Sequence, residues 1–168
     1  MKNLSCIKAI ITDVDGVLTN GEIIYDNQGN ELKIFNVKDG FIVKPMQRLG
    51  FLVGVITGRN SKAVQFRCQE LGFDFHFHGS VHKIEFYEEI KKKYRLSDEQ
   101  ICYIGDDFPD KAILIRCGLA VVPADASEAI KPFAHYVTSA QGGKGVLREV
   151  CEFILKAQNL WEAFLELY

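Results

Sequence analysis

The strongest constraint on the fold is a series of short, continuous apolar runs separated by segments of helical length. Predicted strands lie at 7–12, 51–56, 73–77, 101–104, 119–122 and, less apolar, 135–138. Predicted helices lie at 39–49, 61–71, 83–95 and 146–157, with a shorter helix ending near residue 117. Buried strands that alternate with helices are typical of parallel sheets covered on both faces. The sequence therefore predicts an α/β fold with a doubly wound, mostly parallel sheet.

One segment departs from this alternation. Residues 21–25 and 31–35 read as strands on either side of a turn rich in Asp, Asn and Gly, which predicts a β-hairpin. In the helix that follows, Asp39 is the predicted N-cap. Pro45 disfavours an undisturbed helix, so we expect the helix to begin nearer Ile42.

Length and composition bound the classes of protein. The 168 residues are 48% hydrophobic, which suits one domain over 1–168, with a hairpin insertion at about 21–35 and a tail at about 159–168. A formal net charge of −2 argues against nucleic acid and anionic membranes as partners. No apolar stretch has the length of a signal peptide or a membrane span, so we expect a soluble, cytoplasmic protein. The five cysteines form no C-x-x-C pair and are expected to be reduced and mostly buried.

The first predicted strand ends in two carboxylates, Asp13 and Asp15, followed by Gly16. In an extended chain residues i and i+2 point the same way, so these carboxylates converge beyond the strand end. Two like charges this close require a cation between them, or a proton on one of them. The alternative at this point is an Asx turn in which both aspartates cap backbone amides.

Further polar groups follow the other strands: Thr57 the second, Lys83 the third, and Asp106 with Asp107 the fourth. The carboxyl ends of parallel strands share one edge, where ligands bind in such sheets. Carboxylates, a hydroxyl and an ammonium together suit phosphoryl transfer, whose transition state carries negative charge.

The predicted roles in that reaction are distinct. Asp13, Asp106 and a backbone carbonyl, taken as that of Asp15, would hold Mg²⁺. Thr57 and Lys83 would bind phosphate oxygens. Asp13 would attack phosphorus, while Asp15 protonates the leaving alkoxide and later activates water. Singly, Thr57 could merely end a strand, Lys83 could be a solvated surface residue, and Asp106 or Asp107 could cap the next helix.

In combination these motifs resemble those of the haloacid dehalogenase superfamily, namely Asp13-Val14-Asp15-Gly16-Val17, Thr57-Gly58-Arg59, Lys83 and Gly105-Asp106-Asp107. The resemblance implies a Rossmann-like core without a cap domain, with Asp107 and Asp110 lying behind the metal ligands. Residues 29–33, 35–40, 142–145 and 148–151 are similar to those of sugar-phosphate phosphatases acting on 3-deoxy-D-manno-octulosonate 8-phosphate in lipopolysaccharide inner-core biosynthesis.

The same resemblance implies a homotetramer in which hairpins 22–35 join into a central barrel and a neighbouring subunit completes each pocket. Between Asn20 and Thr57 there is room only for a hairpin and one helix, so nothing within one chain is expected to cover the site. The Gly-rich loop 142–145 either reaches a neighbour's pocket or is a plain linker.

Substrate choice rests on Gly58, Arg59 and Arg67. Either arginine could pair with a sugar carboxylate through two parallel hydrogen bonds, or could form only a surface salt bridge. Phosphatases of nine-carbon, sialic-acid-type 9-phosphates are a close alternative, in which the position after Thr-Gly is acidic. A phosphate-accepting receiver domain and a non-catalytic scaffold are the competing classes.

Two further segments contain residue patterns typical of binding sites. His76, His78 and His82 resemble a metal cluster, but no fourth ligand is evident, so zinc is not expected. The amphipathic tail 159–168 lacks basic residues on its polar face, so we expect it to pack on a neighbouring subunit rather than on a membrane.

Overall fold

A computed structural model describes residues 4–168, and its centre is a six-stranded sheet. The strands are β1 Ala9–Thr12, β4 Leu52–Thr57, β5 Phe75–His78, β6 Ile101–Ile104, β7 Leu119–Val122 and β8 Tyr136–Val137. They lie in the order β5-β4-β1-β6-β7-β8, and every neighbouring pair is parallel. The remaining strands, β2 Ile24–Tyr25 and β3 Glu31–Leu32, form a separate antiparallel hairpin.

Within residues 4–168, the connections and the tail contain six α-helices: α1 Val37–Arg48, α2 Lys62–Leu71, α3 Lys83–Tyr94, α4 Lys111–Leu114, α5 Val146–Ala157 and α6 Trp161–Leu165. Buried side chains form one apolar cluster on each face of the sheet. Ile10 belongs to one cluster and Ile11 to the other, as the alternation of a strand buried on both faces requires. The predicted doubly wound α/β fold is confirmed.

The strand order decides where a ligand can bind. From β1 the chain adds β4 and β5 on one side and then returns to add β6, β7 and β8 on the other. The connections therefore diverge at the carboxyl end of β1, and a crevice opens there. If the six strands of this sheet are numbered along the chain without the hairpin, their order is 3-2-1-4-5-6. Receiver domains have a flavodoxin-like sheet with the order 2-1-3-4-5, so the observed order argues against the receiver alternative.

Helix α1 begins earlier than predicted, and its capping residue is different. Asn36 is the N-cap, and its side chain accepts a 2.9 Å hydrogen bond from the backbone nitrogen of Lys38. The helix runs through Pro45. A proline inside a helix costs about 3 kcal/mol. Full burial of Ile42 and Met46 outweighs that cost, because each side chain contributes about 1.5–3 kcal/mol.

Asp39, the predicted cap of α1, instead serves helix α5. Its Oδ1 accepts a 2.8 Å hydrogen bond from the backbone nitrogen of Arg148, in the first turn of α5. Burial raises the pKa of Asp39 to about 6, although hydrogen bonds from the backbone nitrogens of Arg148, Leu147 and Gly145 oppose the rise. This contact joins α1 to α5 across 109 positions of sequence.

The hairpin has an unusual distribution of side chains. Glu31 and Lys33 point toward the body of the protein, where the Lys33 side chain is only 1% exposed. Leu32 and Ile34, which alternate with them, are 53% and 71% exposed. Apolar side chains therefore face outward, and charged side chains face inward.

Part of the tail packs on its own chain, and its packing on a neighbouring subunit stays a prediction. Phe164 of α6 is buried in the same cluster as α5, and its ring stacks on Trp161 at 5.2 Å. The ring of Tyr168 lies 5.1 Å from that of Phe41 on α1. The aromatic side chains of the tail pack against α5 and α1. The sequence pattern indicates an apolar face on the tail but does not indicate which surface that face contacts. In residues 4–168 no helix combines the length and apolarity needed to cross a membrane.

Candidate active site

A cavity of about 330 Å³ opens at the carboxyl ends of the central strands. Most of the predicted site residues line it. The lining consists of Asp13, Asp15, Gly16, Gly21, Thr57, Gly58, Arg59, Val81, Lys83, Asp106, Asp107 and Pro109. The residues come together because β1, β4 and β6 are neighbours and end at the same level of the sheet.

Asp13 lies at the base of this cavity and is 6% exposed. Its Oδ2 forms a 2.8 Å ion pair with Nζ of Lys83, the first residue of α3. Its other oxygen, Oδ1, is buried and has no hydrogen-bond partner. A buried carboxylate oxygen left in this state is costly unless a ligand satisfies it.

Lys83 is the cation at the centre of the site. The same Nζ lies 2.8 Å from Oδ1 of Asp110, and the Lys83 side chain is 3% exposed. Burial alone would lower the pKa of the Lys83 ammonium, but the carboxylates of Asp13 and Asp110 raise it above its ordinary value. Lys83 is therefore a permanent positive charge here, which excludes the alternative of a solvated surface lysine.

Asp110 is held too firmly by protein donors to be a free metal ligand. Its Oδ1 also accepts a 2.6 Å hydrogen bond from the Tyr103 hydroxyl, and its Oδ2 accepts a 3.1 Å bond from the backbone nitrogen of Asp106. Asp107 is exposed and is the N-cap residue of the turn Phe108–Asp110. Asp110 thus orients both Lys83 and the backbone that carries Asp106.

The carboxylates of the site repel one another. Burial and the charge of Asp110 raise the pKa of Asp13 to about 7, against the opposing effect of Lys83. Burial and the charges of Asp13 and Asp110 raise the pKa of Asp106 to about 8. The protein alone therefore leaves an excess of negative charge at this point.

The residues present fit a divalent cation. One oxygen from each of Asp13, Asp106 and Asp110 lies within 4.8 Å of the others, and Asp13 Oδ1 needs a partner. Gly16 allows the approach of Asp106, since a Cβ at Gly16 would lie 2.0 Å from Asp106 Oδ2. Oxygen-only ligands are those of a hard ion such as Mg²⁺. Asp13 and Asp106 are the available carboxylates, and the backbone carbonyl of Asp15 stays a prediction.

Asp15 is surrounded by residues of the hairpin and of the β4 loop. Lys33 Nζ donates a short hydrogen bond to Asp15 Oδ1 and lies 3.3 Å from Glu31 Oε1. Arg59 reaches the same group, with Nε 3.8 Å from Asp15 Oδ2 and a terminal nitrogen 2.7 Å from Glu31 Oε1. The chain's own hairpin thus contacts the Asp15 side chain from one side, while the absence of a cap over the site stays as expected for residues 4–168.

The other predicted substrate-binding residues are placed differently. Thr57 is buried at the end of β4, and its Oγ1 accepts a 3.4 Å hydrogen bond from the backbone nitrogen of Arg59. Gly58 lines the cavity beside it. Arg67 does not line this cavity. It pairs with Glu70 at 2.7 Å and lies in a separate groove with Lys33, so its role in substrate binding stays a prediction.

Sequence reasoning missed Lys33 and Tyr103. Period-2 alternation along residues 31–35 put Lys33 on the same face as Glu31, and this pattern could have indicated a buried pair. Tyr103 stands in a fully apolar strand, where a buried hydroxyl requires a partner. Neither signal identifies the partner, because Asp15 and Asp110 are brought there by tertiary structure.

Comparison with known proteins gives consistent matches. Residues 76–150 match the family model described as haloacid dehalogenase-like hydrolase. The chain is 42% identical over 156 residues to 3-deoxy-D-manno-octulosonate 8-phosphate phosphatase of Yersinia pestis, covering 93% of this chain and 83% of that protein. It is 40% identical over 153 residues to the phosphatase of the same name from Escherichia coli K12, covering 91% and 81%.

Solved structures give the same result. The phosphatase of this name from Moraxella catarrhalis, solved with magnesium, phosphate and a KDO molecule, superposes with a TM-score of 0.94 at 36% identity, covering 98% of this chain and 95% of that one. The cobalt-bound phosphatase from Haemophilus influenzae gives 0.92 at 37% identity, covering 97% and 95%. The chain therefore belongs to the haloacid dehalogenase-like hydrolases, in the family of 3-deoxy-D-manno-octulosonate 8-phosphate phosphatases.

Proposed function

We propose that this protein is a phosphatase that hydrolyses 3-deoxy-D-manno-octulosonate 8-phosphate to the free sugar acid and phosphate, with Mg²⁺ as cofactor. The observation that carries the proposal is the buried Asp13 carboxylate, paired with Lys83 on one oxygen and unsatisfied on the other. The names of relatives about 40% identical over most of the chain support the substrate.

In the proposed mechanism Asp13 is the nucleophile. One of its carboxylate oxygens forms a bond to phosphorus, and the bond from phosphorus to the sugar oxygen breaks. Asp15 gives a proton to that leaving oxygen. In the second half Asp15 takes a proton from water, the water oxygen attacks phosphorus, and the bond to Asp13 breaks to release phosphate.

The remaining residues align and neutralise the phosphate. The ammonium of Lys83 and the hydroxyl and amides at Thr57 and Gly58 face the cavity from two neighbouring strand ends. Bound Mg²⁺, held by Asp13 and Asp106, supplies positive charge that offsets the carboxylates and the phosphate oxygens. A scaffold without activity is disfavoured, because the nucleophile, the acid and the carboxylate ligands are all present.

Lys33 is proposed to position Asp15. Its buried ammonium contacts Asp15 Oδ1, and the Glu31 carboxylate holds it from the other side. A side chain that must first give a proton and then accept one needs a fixed orientation toward the leaving oxygen. Lys33 provides that orientation through a charged hydrogen bond.

Arg59 is proposed to face the sugar carboxylate. It lines the cavity and its side chain is 41% exposed, although Glu31 already engages one of its nitrogens. The guanidinium has further N–H groups on its other edge, and these can donate two parallel hydrogen bonds to a carboxylate of the substrate. By the same proposal the protein acts in the cytoplasm, in lipopolysaccharide biosynthesis, and nine-carbon sugar acid phosphates are the main alternative substrates.

The protein is also proposed to be a homotetramer assembled through its hairpins. Leu32, Ile34, Ile23 and Tyr25 are all more than half exposed. A two-stranded hairpin is marginal alone, and an outward apolar face on it is unfavourable in water. Four such faces in contact would bury these side chains, and the groove around Arg67 and Phe66 would then be available to a neighbour.

A panel of sugar phosphates tests the proposed activity. With Mg²⁺ present, we expect phosphate release to be fastest from the eight-carbon ulosonate 8-phosphate, because Arg59 rather than an acidic residue follows Thr57-Gly58. Asp13→Asn should lose at least about 10³-fold in kcat, and Asp15→Asn about 10²–10⁴-fold. Asp74→Asn is the matched control and should keep normal activity, because Asp74 precedes β5 at the amino ends of the strands, whereas the cavity lies at their carboxyl ends. Equal rates on simple hexose phosphates would contradict the substrate, and an active Asp13→Asn would contradict the mechanism.

Mg²⁺ affinity should rise with pH. In the metal-free protein the raised pKa values of Asp13 and Asp106, about 7 and about 8, mean that both protons are held near pH 6 and are progressively lost as the pH rises through 7 and 8. Mg²⁺ must displace those protons, so we expect binding about tenfold tighter at pH 8 than at pH 6 by calorimetry. The free energy of unfolding of the metal-free protein should change in the opposite direction. The folded state holds these two protons more tightly than the unfolded chain does, so the metal-free fold becomes less stable as the pH rises. Asp106→Asn removes one of the two titrating ligands, so it should weaken binding and reduce the pH dependence, and a wild-type affinity that does not change with pH would refute this account.

Replacement of Lys33 should lower turnover. A hydrogen bond to a charged group is worth about 1.5–3 kcal/mol, so Lys33→Gln should reduce kcat by about ten- to a hundredfold. Lys33→Arg should recover part of the loss, which a merely structural role would not predict. Lys92→Gln, on the exposed face of α3, is the control. Normal kcat in Lys33→Gln would exclude the positioning role.

A charge on the outer face of the hairpin should dissociate the tetramer. Sedimentation should give four times the chain mass for the wild type and a smaller species for Leu32→Lys with Ile34→Lys, because four subunits would each bury unpaired ammoniums. Ile115→Lys, at a comparably exposed apolar residue directly after α4, should remain tetrameric. A monomeric wild type, or an unaffected double variant, would contradict the proposed assembly.

A further inference from the structure

A second group of metal-binding side chains lies on the edge strand β5, outside the carboxylate site. Cys68 of α2 is buried, and His76 and His78 of β5 are half-buried. One possible ligand atom from each of the three lies within 4.8 Å of the others. His82, which the sequence pattern grouped with the two histidines, is not a member of this group, and Cys68 takes its place.

Strand geometry explains the arrangement. On β5 the rings of Phe75 and Phe77 turn toward the cluster that includes Tyr87, so His76 and His78 turn to the opposite face. Helix α2 covers that face, and Cys68 packs there in the other cluster. The histidines are two residues apart and the cysteine comes from another element, so only the tertiary structure unites them.

The two imidazole rings contact each other through one nitrogen of each. His76 Nδ1 and His78 Nε2 are 2.7 Å apart, so one nitrogen donates and the other accepts, and the two share a single proton. Burial and the nearby His76 lower the pKa of His78. His78 Nδ1 is buried and has no hydrogen-bond partner. The hydrogen bond between the two rings therefore leaves His78 Nδ1 without a partner. Imidazole binds metals in its neutral form, and the lowered pKa of His78 favours that form.

We propose that Cys68, His76 and His78 form a second metal site, for a soft or borderline ion such as Zn²⁺ and not for Mg²⁺. One thiolate and two imidazoles are ligands of that class, whereas the Asp13 site offers only oxygen. Tetrahedral Zn²⁺ separates such ligand atoms by about 3.3–3.6 Å, which small side-chain movements from the present spacing provide. Water would complete the coordination as the fourth ligand.

Binding at this site has a definite proton balance. Burial raises the pKa of the Cys68 thiol to about 12, so the sulfur carries a proton at neutral pH. The metal–sulfur bond forms as that proton leaves to solvent, and the proton shared by the imidazoles moves to a nitrogen that does not bind the metal. The site therefore binds more tightly as pH rises.

The site is one strand away from the catalytic cavity. His78 is the register partner of Thr57 on β4, and the backbone nitrogen of Gly79 donates a 3.1 Å hydrogen bond to the Thr57 carbonyl oxygen. The proposal does not rest on phosphatase activity, because its ligands are separate from Asp13 and Asp106.

Cobalt titration of the reduced, Mg²⁺-saturated protein tests the site. We expect one equivalent of Co²⁺ to produce the near-ultraviolet absorption of a thiolate-to-cobalt charge transfer, and Zn²⁺ to displace it. An oxygen-only site cannot give this band. Asp13→Asn, which removes a ligand of the carboxylate site, should keep the band.

Ligand variants complete the test. Cys68→Ser should lose the band, and His76→Gln should weaken Co²⁺ binding by more than about a hundredfold, beyond the effect of removing an outer partner. Cys6→Ser is the matched control and should behave as wild type. Mg²⁺-dependent phosphatase activity in the Cys68 and His76 variants serves as the check on folding. Absence of the band in the wild type, or an equal band in Cys68→Ser, would overturn the proposal.

Discussion

Repulsion between buried carboxylates is the constraint on which this site depends. Asp13 and Asp110 share a single ammonium, that of Lys83, and Asp106 lies beside them. One positive charge does not balance three negative ones in a region from which water is largely excluded. Burial, together with this excess of negative charge, raises the pKa values of Asp13 and Asp106. A cation at this point is therefore part of the electrostatics of the fold as well as of the chemistry.

The sheet is what brings those charges together. Asp13 follows β1 and Asp106 follows β6, and the two strands are parallel neighbours in register. Gly16 leaves the space into which the Asp106 carboxylate projects. Asp110 then holds Lys83 and the Asp106 backbone at once, with the Tyr103 hydroxyl as an additional donor. A small number of buried contacts thus fixes the spacing of groups that would otherwise separate.

The hairpin has two faces with different tasks. Its inner face brings Lys33 and Glu31 to Asp15 and Arg59, two residues that line the cavity. Its outer face presents Leu32 and Ile34 to solvent. If four hairpins associate as we propose, the outer face of the hairpin would lie in the subunit interface while Lys33 holds Asp15 from the inner face. Assembly would then affect the position of Asp15. The soft-metal group at Cys68 is linked to the same region differently, through the pairing of β5 with β4.

The sequence by itself determined the elements whose signals are local. Strands β6 and β7 and helix α5 have the predicted bounds, because a continuous apolar run and a 3.6-residue period depend only on neighbours in the chain. The positions of Asp13, Thr57, Lys83 and Asp106 at one edge followed from the parallel alternation. Only the tertiary structure decided the partners of Asp39, Lys33 and Cys68, which are Arg148, Asp15 and the β5 histidines. In the first two cases the contact joins residues 109 and 18 positions apart, and no periodic pattern encodes which distant group a buried charge will meet.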